Sequence, residues 1–301
     1  GTIGGGSGGA TAITSLTVED ELNLAASVTS SGNQTFNDTV TLGAAVALTT
    51  STGNVQFDST IDSDTTARAL TINAQSTTSG AGSVTFDGVV GATKLGAVDI
   101  TGNAVTINQA FSSSSSIEIS NAGLLTVADD AHIVADAGFT QNGIGAMSLG
   151  ADITTVNSGI SIASALTLLD DGASTPAAQL VTLSTGSGAG NIQLAAVTAG
   201  DGTLNNSLTL VSGSGTTTVS GAVTEMDAVT VQDTGATGAV TFEDNLTATS
   251  LTTAAANYAL SLQGSSTTIT NAVTSTNTGA LNLGNNNSDT LVFTAGMTAV
   301  D

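Results

Sequence analysis

Asp58, Asp62 and Asp64 fall in one short stretch, Asp58-Ser59-Thr60-Ile61-Asp62-Ser63-Asp64, and form the best local set of hard oxygen donors in the chain. Calcium takes carboxylate, carbonyl and water oxygens in flexible geometry, so these three are the candidate calcium ligands. Neither an EF-hand loop nor a Gly-Gly-x-Gly-x-Asp calcium repeat accompanies them, and the plain alternative is a solvated turn. Further acidic clusters stand at Glu19-Asp20-Glu21, Asp129-Asp130 and Asp170-Asp171. The single histidine, His132, lies near Asp129, Asp130 and Asp136 and with a serine would complete a nucleophilic triad. The one Gly-x-Ser-x-Gly match, Gly5-Gly6-Ser7-Gly8-Gly9, lacks the strand that a nucleophile elbow needs. Gly4-x-Gly6-x-x-Gly9 matches the dinucleotide fingerprint but lacks its strand and helix. His132 therefore reads as a partly exposed polar residue on a coil.

Sugar-cleaving chemistry asks for paired carboxylates, and a lyase also needs a cation to neutralise an acidic sugar. The only cations are Arg68 and Lys94, 26 residues apart, and aromatic platforms are scarce: Tyr258 is the one tyrosine and tryptophan is absent. No catalytic or cofactor-binding residue is assigned, and the chain does not read as an enzyme. The 24 acidic residues against two basic ones give a net charge of −22. Such a surface cannot neutralise a row of phosphates or hold an anionic membrane, which excludes nucleic-acid binding and polybasic anchoring. It keeps the protein soluble and would attract divalent cations between molecules.

The elements that must position these residues are short strands. Apolar-x-apolar clusters recur throughout, among them Leu16-Thr17-Val18, Leu70-Thr71-Ile72, Ile117-Glu118-Ile119, Leu208-Thr209-Leu210 and Leu281-Asn282-Leu283. Period-2 alternation rich in Val, Ile and Thr is the strand signal, and Gly, Asn, Asp or Ser turns the chain after each cluster. No helical period persists, no apolar run is long enough to span a bilayer, and there is no cysteine to form a disulfide. Residues 1–10 are Gly-rich and read as a flexible arm or linker, leaving 11–301 as a single domain. Neither an initial Met nor a signal-peptide pattern is present, so the chain is expected to be a mature product or part of something longer.

One nine-residue phrase returns with its spacing intact: Gly32-Asn33-Gln34-Thr35-Phe36-Asn37-Asp38-Thr39-Val40, then Gly53 to Ile61, Gly82 to Val90 and Gly238 to Leu246. Phe36, Phe57 and Phe86 are 21 and 29 residues apart, within the range of solenoid repeats. A sandwich would want longer strands and more aromatic core. The expected fold is therefore all-β, a right-handed parallel β-helix with short strands and variable corner loops. Phe36, Phe57, Phe86 and Phe242 are expected to stack in its core, and residues 110–180 to be degenerate coils. Thr-x-Thr groups such as Thr39-Val40-Thr41 and Thr216-Thr217-Thr218 do not recur at a fixed period, so no water-ordering threonine face is expected.

These phrases resemble the units of giant bacterial β-strand-repeat surface proteins, similar to filamentous haemagglutinin and autotransporter adhesins. The likeness covers about residues 11–108 and returns near 215–264. It implies a secreted or surface-displayed β-helix with structural or adhesive duty, although no secretion domain or membrane barrel accompanies it. The expected function is an extracellular, non-catalytic stalk or filament-forming subunit. Its partners would be copies of itself, head to tail, or a host or matrix surface, with no nucleic acid and no membrane insertion by this segment. The alternatives are a polysaccharide-acting β-helix enzyme and a calcium-bridged matrix protein.

Overall fold

Valine, isoleucine and threonine at alternate positions hold the backbone extended, because β-branched side chains suit a pleated surface better than a helix. In the computed structural model, which describes residues 13–74, 82–169, 179–200, 206–232 and 238–300, every such cluster is a short strand. No helix occurs among the described residues, and none is there to cross a membrane. The Gly-rich stretch 1–10, with its two glycine motifs, and Asp170-Asp171 lie outside the described residues. All recorded pairings are parallel, and the protein is an all-β solenoid of stacked coils. The coils gather into two units, residues 1–146 and 147–301.

In the first unit each coil has three strands. The first coil is Leu16–Val18, Leu22–Leu24 and Val28–Ser30; the second is Gln34–Phe36, Val40–Leu42 and Val46–Thr50. Strands pair in register with their counterparts one coil on, as in Val18↔Phe36, Phe36↔Phe57 and Phe57↔Phe86, with a shift of register within Val90–Leu95. The alternation then sorts the side chains: Val18, Phe36, Phe57, Phe86 and Ile107 form one inward column, while Thr17, Thr35, Gln56, Thr85 and Thr106 form the outward column beside it. Phe36 and Phe57 stack with ring centroids 4.7 Å apart, and Phe57 and Phe86 with centroids 5.5 Å apart. Phe111, from a different strand of its coil, meets Phe86 edge-on at 5.1 Å. Each of these buried rings contributes roughly 2–3 kcal/mol by burial, and each pair about 0.5–1.5 kcal/mol more.

The phrase resolves position by position. Phe ends its strand, the next three residues turn the corner, and Val40, Ile61, Val90 or Leu246 opens the next strand. Its Gly-Asn pair does more than turn the chain: Asn33 Oδ1 accepts the Asn54 N–H at 3.0 Å and Asn54 Oδ1 the Ser83 N–H at 2.9 Å, clamping one coil to the next. Phe242 is buried as expected, but it belongs to the third strand of its coil, between Val219 and Leu262, so it has no place in the phenylalanine stack. The same phrase serves two different sides of a coil because each side asks only for apolar alternation and a turn.

The second unit keeps this plan with fewer corners. Val223–Val231 and Leu246–Thr253 each run as one strand through the place where shorter coils turn. A bulge in the first of these absorbs the bend at Glu225, whose φ of 62° lies in the left-handed region.

Candidate functional site

The carboxylates are placed by the corners. Glu19, Asn37, Asp58, Asp87 and Asn108 each follow a member of one inward column, so they line a single corner of the first unit. Amides interleave with the acids there. Asn37 Nδ2 donates to Glu19 Oε2, Gln56 Nε2 to Asp58 Oδ1 and Asn108 Nδ2 to Asp87 Oδ1, each at 2.6 Å. An amide proton offsets part of the repulsion between successive carboxylates without adding a cation.

The three candidate calcium ligands have separate surroundings. Asp58 sits in that corner column, whereas Asp62 lies on Ile61–Ser63 and accepts the Thr93 N–H at 2.7 Å. Asp64 takes both arms of Arg68, at 2.9 and 2.6 Å, and the Thr66 N–H at 2.8 Å. The Arg68 hydrogen bonds, then the Thr66 N–H, hold the Asp64 carboxyl below the ordinary carboxylate range. Among the described residues no three His, Asp or Glu side chains come together as a metal site.

Lys94 reaches Asp136, with Nζ 2.7 and 2.8 Å from the two carboxylate oxygens. Both cations of the chain are thus held in ion pairs, and Asp136 is engaged by Lys94. His132 is exposed; its backbone N–H meets the Asp130 carbonyl and its carbonyl accepts the Phe111 N–H. Asp129 and Asp130 form the turn before it, with Asp130 at φ 60°.

Two arrangements escaped the sequence reading. Asp99 and Glu118, 19 positions apart in the chain, face outward side by side in register. Partial burial, with the Glu118 charge second, pushes the Asp99 carboxyl above its ordinary range. Asn142 Nδ2 donates to Glu118 Oε1 at 2.6 Å, and the Ser120 hydroxyl donates to Asn142 Oδ1. A shallow groove of about 450 Å³ opens beside them, lined by Thr101, Ser120, Asn142 and the exposed Ile144. Nothing short of the register brings residues 99 and 118 together.

The other is a polar seam inside the core. Asn121 Nδ2 donates to the carbonyls of Gly123 at 2.6 Å and Gly145 at 3.0 Å, and Gln141 Nε2 donates to Asn121 Oδ1 at 2.7 Å. Ser30 and Thr50, at the same end of the third strand in earlier coils, donate likewise to Gly32 and Gly53 carbonyls at 2.6 Å. The signal for it is a polar residue in an apolar slot of the alternation, as in Ile119-Ser120-Asn121. These groups satisfy corner carbonyls that the ladder leaves unpaired. Comparison with protein-family models, curated proteins and solved structures finds no match to the chain.

Proposed function

We propose that the chain is a non-catalytic structural element of an extracellular or cell-surface protein, a β-solenoid stalk or filament-forming subunit. The observation that carries this reading is how each coil uses its residues. Inward positions fill an apolar core crossed by a few hydrogen-bonded polar side chains, corner amides and carboxylates bind coil to coil, and most outward residues are small and polar. Both cations, which a polysaccharide lyase would need free, are tied to Asp64 and Asp136. The high net negative charge suits a soluble, displayed surface. The resemblance of the Gly-x-Val-x-Phe phrases to bacterial surface-protein repeats supports the same placement.

Purified protein viewed by negative stain should give rods or fibres, and antibody labelling of intact source cells should stain their exterior. Labelling only after permeabilisation would overturn the surface placement. Adding calcium or a chelator tests the matrix alternative: bundles that form only with calcium would favour cation bridging between acidic corners.

A second reading has one observation behind it. Asp99 and Glu118 stand on adjacent strands, about 4.8 Å apart along the stack, and glycoside hydrolysis uses such a carboxylate pair with one member held protonated. Release of reducing ends from a panel of polysaccharides, abolished by Asp99→Asn, would favour the enzyme.

A further inference from the structure

We infer that Asn142 is a site of spontaneous deamidation, in which the Gly143 nitrogen closes a succinimide ring on the Asn142 side chain and the acid that results joins the Asp99–Glu118 pair. Asn142-Gly143 is the one Asn-Gly pair in the chain, and the packing of the corner demands its glycine. A Cβ at position 143 would stand 2.1 Å from the Asn121 carbonyl oxygen and 2.2 Å from the Asn121 nitrogen. A residue without a side chain also leaves its own backbone nitrogen open to close approach.

The reacting groups are free to meet. Asn142 is exposed, just past the end of the strand Phe139–Gln141. Its own N–H is fixed to the Ile119 carbonyl at 3.1 Å, whereas the Gly143 N–H meets no acceptor among the described residues. No hydrogen bond therefore has to break before that nitrogen loses its proton. The Ser120 hydroxyl donates to Asn142 Oδ1, the oxygen on which negative charge develops during attack, and so favours the addition.

The Gly143 nitrogen gives its proton to solvent base, and its lone pair forms the bond to Asn142 Cγ. The Cγ–Nδ2 bond then breaks, and ammonia departs with a proton taken from water. Water next opens the ring, giving aspartate when it adds at Cγ and isoaspartate when it adds at the backbone carbonyl carbon. The sum is amide plus water to carboxylate plus ammonium, with solvent as the only co-reactant. Asp87-Gly88 offers a contrast within the same unit. A Cβ on Gly88 would stand 2.3 Å from the Ser59 backbone, so this glycine is forced too. Asp87, however, presents a carboxylate, a poor electrophile, and Asn108 Nδ2 holds it at 2.6 Å.

The product alters the face on which it forms. Asn142 Nδ2 supplies Glu118 Oε1 with a donor at 2.6 Å. An acid at position 142 removes that donor and sets a further negative charge beside Glu118, which already faces Asp99 in register. Arg68 and Lys94 are engaged with Asp64 and Asp136, and like charges opposed on a sheet are destabilising. Isoaspartate also lengthens the backbone in a corner where Gln141 Nε2 reaches the Gly143 carbonyl and the Gly145 N–H reaches the Asn121 carbonyl, each at 3.0 Å. The coils that carry the polar seam thus loosen as the molecule ages.

The full chain, held in mildly alkaline buffer and analysed by peptide mass mapping, should gain the mass of an amide-to-acid conversion at Asn142 before any other asparagine. Enzymatic methylation of isoaspartate should mark position 142 and leave position 87 unmarked. Asn142→Gln should lose both signals, because the longer side chain closes its ring far more slowly. An Asn142 that keeps its amide while other asparagines convert, or a new acid with no isoaspartate beside it, would overturn the succinimide route. Asn142→Asp reads the consequence separately from the chemistry. It should speed amide exchange in the coils containing Asn121 and Gln141 by about threefold, the effect of losing one modest exposed interaction, and leave the coils of Phe36 and Phe57 unchanged. Equal exchange in the variant and the wild type would overturn the loosening of the seam.

Discussion

The two units solve one problem differently. In residues 1–146 the coils are short strands and distinct corners, held by an aromatic stack, amide–carboxylate corners and two ion pairs. Residues 147–301 contain no Lys or Arg. Here continuous strands through the corner replace stacked rings, and the core keeps the Thr217 and Thr267 hydroxyls without a partner. The first unit puts its stability into specific side-chain contacts, the second into ladder length. Substitutions in the first should therefore be local and large, and in the second some polar-to-apolar changes should help.

The sharpest break in this contrast is Phe57→Ala. Phe57 stacks on rings above and below, so a cavity there opens a whole column. The first unit should lose about 3–5 kcal/mol while amide exchange in residues 147–301 is unchanged. Stability loss near zero would remove Phe57 from the core, and uniform loss across the chain would erase the distinction between the units. Asn121→Ala comes next. It strips the buried seam of the amide that serves Gly123 and Gly145; Gln141 Nε2 still reaches the Gly145 carbonyl at 3.1 Å, but leaving the Gly123 carbonyl unpaired should cost about 1–3 kcal/mol. Faster exchange of the coils that contain Asn121 and Gln141 is the readout.

Much of this architecture is legible in the sequence, and the limits have a common cause. Alternation and turn residues mark the strands because burial on one face imposes period two on the chain itself. The corner position of Asp58 and Asp87 is legible for the same reason: it follows a fixed count after Phe. What is hidden depends on register between coils, and variable loops decouple register from sequence distance. Thr17, Thr35, Thr85 and Thr106 stand in one outward file with Gln56, although 18 to 29 residues separate successive members. Uneven spacing hides that file in the sequence. Phe242 sits on another side of the coil for the same reason, and the corner between Phe57 and Ile61 separates Asp58 from Asp62 and Asp64, close as the three are in sequence.

The second unit offers the opposite sign. Thr217 is buried in the column Ile192–Thr217–Val240, where its hydroxyl finds no partner. Thr217→Val keeps the shape and removes the unpaired group, so the second unit should gain about 1 kcal/mol in denaturant unfolding. A loss of stability would mean that the hydroxyl is satisfied and that the second core is as specifically paired as the first.

The smallest expected effect is electrostatic and confined to the first unit. The Asp99 carboxyl is held above its ordinary range by partial burial and by Glu118. A carboxylate with a raised folded-state value binds its proton more tightly folded than unfolded, so the native state gains stability as pH falls through that raised value toward about 4. Asp64 works the other way. Its value is lowered by Arg68, so its contribution is present at neutral pH and is lost as pH falls through the depressed value, further into acid. Asp99→Asn separates the two. The variant should be slightly more stable than wild type at neutral pH, by under about 0.5 kcal/mol for so exposed a pair. The difference should vanish toward about pH 4 and shrink in high salt. The remaining acid loss, carried by Asp64, should be unchanged. A difference that grew on acidification would mean that the Asp99 carboxylate is stabilising, and that the outward face of the first unit holds a favourable partner for it beyond Glu118.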